Sequence, residues 1–302
     1  MSEFNNEVYT ALVDDLINDA FYSQDSSARG KIATIRQYSE VIIRKILNLS
    51  NQDFVTLGNR NIIQQLTEIS DNNQLLLNSL EVIKNDGNDC THTQKTGIVT
   101  DDDLNRCIDS LFNLYAYLFI SYFEKYEFGK NNEILGAFSL LPPIIRFITL
   151  EFLHQKYKNN IAIIDKLALA MLKAFDKKST LIWIEEEKEY LQGLNTVTEY
   201  AYQEIKKRDG EYIADLIVEN SPKNMYILSK DKINEVSERI EKNGKLYDNF
   251  ENALNFYKEK GHIIGLTAEI KKFNSIMEFV YLGRKYIKCN TIEDIDKYII
   301  LV

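Results

Sequence analysis

The stretch Lys84-Asn85-Asp86-Gly87-Asn88-Asp89-Cys90-Thr91-His92 concentrates groups capable of chemistry. An imidazole exchanges a proton near neutral pH and a neighbouring amide can orient a substrate, so His92 and Asn88 are candidate catalytic residues. A second group stands upstream. Arg29, Arg36, Glu40 and Arg44 recur at spacings of seven, four and four, which places them on one helical stripe. Arginines arranged in this way suit a phosphate or a partner's acidic surface, and Lys84 adds a cation beside the histidine segment. The stripe also has a purely structural reading, packing against the chain start, whose first 28 residues hold six acids and no base.

Other candidates carry less. Arg146 and His154 lie eight residues apart without a third member, and Glu185-Glu186-Glu187 reads as a solvated helix face. Lys206-Lys207-Arg208 reads as a cation run at a helix end, where the macrodipole favours it. Trp183 reads as a core anchor or interface residue. His262, between Gly261 and Gly265, lacks the glycine spacing and the Lys-Ser/Thr of a phosphate loop. The three cysteines, Cys90, Cys107 and Cys289, are odd in number and far apart, so neither a disulfide framework nor a zinc spacing is visible. No metal site and no cofactor is expected.

The elements that must position these groups are helical. Residues 5–23 form a first helix, and Asp25-Ser26-Ser27 offers caps for a second over 27–48. From Ser27 to Leu47 there are five bases and one acid, a locally basic helix in an acidic chain. Shorter helices follow over 60–70 and 73–85, with Gly87 placed to end the latter in a left-handed cap and 88–99 left as a polar loop. Thr100 with Asp103 resembles a capping box opening an aromatic, wide-faced helix to 127, the buried spine of its domain. Residues 128–132 form the best boundary. Beyond them helices read near 133–141, 143–157, 161–176, 180–193, 196–208, 230–243, 248–260 and 267–282, with 284–288 and 298–302 as short strands.

The order of these features, Arg29…Arg36-x-x-x-Glu40 on one helix, then Gly87-Asn88-x-x-x-His92, then a long aromatic helix, resembles the HEPN superfamily (higher eukaryotes and prokaryotes nucleotide-binding) over residues 25–128. Within it, the chain looks most like the branch at the N-terminus of type I restriction subunits and in other bacterial defence proteins. The resemblance implies a four- or five-helix bundle that dimerises. In its ribonuclease members an arginine and a histidine cut RNA without metal: the histidine moves the proton as the 2′-hydroxyl attacks, and the arginine stabilises the added phosphate charge. Here the chain departs from the pattern. With His92 as the histidine, the arginine belongs at 85–87, where the chain reads Asn85, Asp86 and Gly87, and Lys84 is the nearest base.

Composition frames these readings. The chain has 302 residues, a net charge of −9, only 3 prolines and 12 glycines, and 45% hydrophobic residues. So few turn-formers argue against a sandwich or barrel, and the charge argues against whole-surface nucleic-acid binding while leaving room for a local basic face. Without an apolar run of membrane-spanning length or a leader-like start, the expectation is a cytoplasmic protein with no membrane association. The expected fold is mainly α: a HEPN-like bundle over 1–128, a helical array over 129–209 and a small α or α+β element over 210–302. Three functions follow. The first is a non-classical HEPN-type module of a defence or nucleic-acid-handling system, binding RNA, a nucleotide or a protein partner, as a homodimer. The second is a metal-independent endoribonuclease using His92. The third is an antitoxin-like interaction module in which the site is a relic.

Overall fold

A computed structural model describes residues 3–93, 96–245, 247 and 249–286 of the chain. It is mainly α, with fifteen α-helices, two short π-helical turns and no strand among the described residues. None of these helices is long and apolar enough to cross a membrane. In chain order they are α1 (Asn6–Ile17), α2 (Ala28–Leu47), α3 (Arg60–Ile69), α4 (Gln74–Thr91), α5 (Asp101–Lys125), α6 (Asn132–Phe138), α7 (Pro143–Lys156), α8 (Ile161–Ala174), α9 (Lys177–Glu186), α10 (Lys188–Gln192), α11 (Glu199–Asp209), α12 (Glu211–Asn220), α13 (Met225–Asn243), α14 (Phe250–Phe256) and α15 (Ala268–Tyr281). The described residues fall into two compact units, one within Met1–Leu141 and Phe250–Lys288, the other within Pro142–Asn249. The sequence expectation divides the chain at 128 and 209, and these compact units divide at 141 and 249.

The first unit is built around α5. Its Leu111, Leu114, Tyr115, Phe119 and Ile120 are wholly buried, and α2 and α4 pack along it. The long helices begin where short polar side chains satisfy orphan amides. Ser27 Oγ accepts from the Gly30 amide at 3.2 Å, and Asn73 Oδ1 accepts from Leu76 N at 3.0 Å. Thr100 and Asp103 close a full capping box at the start of α5. Helix α15 returns from the end of the described chain to pack on α5 and α1. Inside this core Tyr115 Oη donates to Tyr38 Oη at 2.8 Å, and the buried Arg284 donates to Tyr115 Oη at 3.2 Å while lying over the Phe250 ring.

In the second unit α7 and α8 form a hairpin, and α8, α9, α10 and α13 share a core of Ile164, Ala168, Leu172, Ile184, Leu191 and Ile233. A buried ion pair joins Lys232 to Asp165 at 2.6 Å.

Several local expectations change. Gly87 does not end a helix, because α4 runs through it to Thr91, so the polar loop starts at His92 rather than Asn88. The helix expected over 180–193 is two helices, α9 and α10, meeting at Glu187. Helix α12 fills 211–220, a stretch the sequence pattern leaves unassigned. Residues 284–286 are irregular rather than strand, and the rest of 284–288, all of 298–302 and Cys289 lie outside the described residues.

Candidate functional site

The site candidates sit on the facing sides of α2 and α4. These two helices approach so closely that a side chain at Gly87 has no room: a β-carbon there would lie 2.5 Å from Arg36 Cδ and 2.7 Å from Arg36 Cβ. Glycine inside a helix costs about 1 kcal/mol against alanine, and here it is the condition for the approach. With the helices so close, Arg36 Nε donates to Asn88 Oδ1 at 3.1 Å, and Arg36 lies 3.6 Å from Glu40 on its own helix. Glu40 is half-buried, and that burial raises its carboxyl above the usual range while the Arg36 charge opposes the rise. Arg36, Glu40, Gly87 and Asn88, read as two separate motifs 50 residues apart, therefore form one cluster.

The other arginines of the stripe go elsewhere. Arg29 donates through one nitrogen to the Asp89 carbonyl at 3.0 Å and through another to the Gly97 carbonyl at 2.9 Å, clamping the segment before α5 onto the end of α4. Arg44 donates to the carbonyls of Ser50 and Asp53, both at 2.7 Å, and so holds the turn after α2. The neighbouring base Lys45 is buried, donating to Asn6 Oδ1 and Ser275 Oγ at 2.9 and 2.8 Å beneath the rings of Phe4 and Phe279. Burial lowers its ammonium to about 7, Lys272 adding to the effect.

His92 forms the end of α4. Its amide donates to the Asn88 carbonyl at 3.0 Å and its imidazole is exposed, with no partner among the described residues. Lys84, Asn88 and His92 follow one another at intervals of four along one stripe of α4.

The adjacent stripe of α4 lines a cavity of about 410 Å³, closed by Arg29 and Ile32 of α2 and by residues 96–99. Asp86, Asp89 and Asp103 contribute three carboxylates to this lining against the single guanidinium of Arg29. Arg106, outside the lining, bridges Asp86 at 2.9 Å and Asp103 at 2.8 Å. The backbone amide of Thr100 and the Arg106 guanidinium hold the Asp103 carboxyl down at about 2. Cys90 also lines the cavity, and the neighbouring Cys107 is buried with its thiol 3.6 Å from Asp86. Burial raises both thiols, Cys107 to about 12, so neither is a nucleophile at neutral pH.

No three metal-ligating side chains cluster among the described residues. The sequence did not mark Asp103 or Arg106 as site residues. The capping box accounts for one oxygen of Asp103, and only the fold shows that the other meets Arg106 three residues on. No family model matches the chain, and neither does any curated protein or solved structure.

Proposed function

We propose that residues 25–128 act as a non-classical HEPN-type module of a bacterial defence or nucleic-acid-handling system, and that its ligand is a protein partner presenting a basic side chain. One observation carries this reading: the cavity between α2, α4 and residues 96–99 places Asp86, Asp89 and Asp103 around a space large enough for a long side chain, with Arg29 turned onto backbone carbonyls. Arg106 already pairs with Asp86 and Asp103, so with Arg29 and Arg106 counted the three carboxylates leave a net charge of −1, which disfavours phosphate and favours guanidinium or ammonium. Arg36, the other candidate phosphate ligand, is engaged by Asn88 and Glu40.

Fluorescence anisotropy of an arginine-rich peptide and of a single-stranded RNA, each titrated with the full chain, tests the reading. The peptide binds, and Asp86→Asn with Asp89→Asn weakens it about tenfold. Salt-sensitive RNA binding that is lost on Arg29→Ala with Arg36→Ala would overturn it.

The endoribonuclease reading keeps one observation in its favour, the exposed His92 imidazole one turn beyond Asn88. It requires RNA cleavage in EDTA that disappears in His92→Ala. Intact RNA after incubation with the wild-type chain excludes it.

A further inference from the structure

His154 and Trp183, unrelated in the sequence, share one setting in the second unit. The His154 imidazole, near the end of α7, is 8% exposed, and its Nδ1 is fully buried without a hydrogen-bond partner. One stripe of α9 and α10 faces this ring. Trp183 of α9 lies edge-on with 6.0 Å between ring centroids, and Tyr190 of α10 lies at 6.2 Å. Glu187 stands between them at helical spacing, four residues after Trp183 and three before Tyr190. It is also the residue at which α9 ends and α10 begins. Its amide donates to the Trp183 carbonyl at 3.0 Å and its carbonyl accepts from Leu191 N at 2.8 Å, but its side chain makes no cap hydrogen bond. Tyr190 Oη ties this junction to the turn after α7 by donating to the Lys158 carbonyl.

We propose that His154 and Glu187 form a pH-operated latch, in which the neutral imidazole lets the α9–α10 junction rest on α7, while the imidazolium draws the Glu187 carboxylate toward Nδ1 and shifts that junction. A neutral ring suits the site, because with the proton on Nε2 only an acceptor at Nδ1 goes unmet. A charged ring does not. Both nitrogens then donate, and a buried N–H without an acceptor carries its full desolvation cost.

The surrounding charges set the direction of the switch. Burial lowers the imidazole below its ordinary 6.5, the Glu187 carboxylate opposes that shift, and Lys158, just past the end of α7, adds to it. Tyr190 stays neutral, since burial raises its hydroxyl above the ordinary 10.0, and on α7 itself Glu151 stands one turn before the ring, its carboxyl raised by burial. The folded chain therefore takes up the His154 proton less readily than the unfolded chain. The latch is set above 6.5 and trips only below it, with stability falling as pH drops through that range. The proposal does not depend on the proposed function, whose residues belong to the other unit.

Trp183 is the one tryptophan of the chain and reports on the junction directly. Its emission is followed on the full chain from about pH 8 to about pH 5, with circular dichroism as the fold control. Amide hydrogen exchange, corrected for its intrinsic pH dependence, is read at both ends. The expected result is a single-proton red shift at unchanged helicity, with about tenfold faster exchange confined to residues 187–192. His154→Gln and Glu187→Gln each abolish the red shift and the faster exchange. In a chain carrying His92→Gln and His262→Gln, both at exposed positions, the one remaining imidazole resonance gives the His154 midpoint itself. That midpoint lies below 6.5, and Glu187→Gln lowers it further by about half a unit. A midpoint at or above 6.5, a red shift that survives His154→Gln, or a ring that titrates without any change in exchange over 187–192 would each overturn the proposal. The last would leave His154 a buried histidine that titrates in place.

Discussion

Gly87→Ala separates the packing argument at α2 and α4 from ordinary helix propensity, because the two predict opposite signs. In an open helix position the substitution stabilises by about 1 kcal/mol. At Gly87 the new methyl would sit 2.5 Å from Arg36 Cδ, 2.8 Å from Cγ and 2.7 Å from Cβ. The Cδ contact could be relieved by a rotamer change, but the Cβ contact is fixed to the backbone of α2 and requires the helices to separate. Forcing a methyl into such a contact costs about 1–3 kcal/mol, so the net effect is a loss of up to about 2 kcal/mol. At about 2–4 °C per kcal/mol for a body of this size, thermal denaturation resolves it. Gly136→Ala in α6 is the matched control: no atom stands within 4 Å of the added carbon, so it raises the melting temperature. In an Arg36→Ala background the Cβ contact remains, so most of the Gly87→Ala penalty persists, and a double-mutant cycle gives the share that belongs to Cγ and Cδ directly. A Gly87→Ala protein as stabilised as Gly136→Ala would refute the close approach, and with it the geometry that joins Arg36 to Asn88.

Four further outcomes follow from other contacts of the fold. Lys45 is held by burial at about 7, below its ordinary 10.5, with Lys272 lowering it and Glu278 opposing. The folded state therefore binds fewer protons than the unfolded one between these values, and stability rises from pH 7 to 10.5. Lys45→Met flattens that rise by a few kcal/mol in urea titrations run at both ends. Thr100→Ala removes one half of the capping box and costs about 1 kcal/mol of stability by the same measurement. Because the Asp103 carboxyl is held down at about 2, its stabilising contribution is complete at neutral pH and is lost as pH falls from about 4 toward 2; Asp103→Asn should weaken that acid-limb dependence in an acid titration followed by circular dichroism. Arg29→Ala releases residues 96–99 from α4, which hydrogen exchange reads as faster exchange confined to that segment and the last turn of α4.

Features that depend on local chemistry were legible in the sequence. Ser27 caps α2, Thr100 and Asp103 cap α5, and the aromatic run of 104–123 is the spine of its unit, because each is decided by residues within a turn or two. Features decided across long separations were not. A lone glycine before a polar run reads as a helix end, and what keeps Gly87 helical and bare is Arg36, 51 positions earlier. Periodicity identifies α15 as a helix but cannot say that it packs on α5. The basic stripe invited acidic partners from the first helix, yet Arg29 and Arg44 bond to backbone carbonyls, which every residue carries and no residue type announces.

The Arg36, Glu40, Gly87 and Asn88 cluster is likewise held by its own members. A short motif can persist because its members hold one another or because they hold a ligand, and the two leave different marks. Here Gly87 makes room for Arg36, Arg36 donates to Asn88, and Glu40 neutralises Arg36, so each member has a partner inside the group. The position that cleavage would need beside His92 carries no arginine, and the adjoining cavity gathers carboxylates. Residues that set the distance between two helices are therefore present where residues that would act on phosphate are missing. The interaction module proposed above needs only the first kind, since a rigid α2–α4 pair is enough to hold Asp86 and Asp89 in fixed positions for the proposed basic partner.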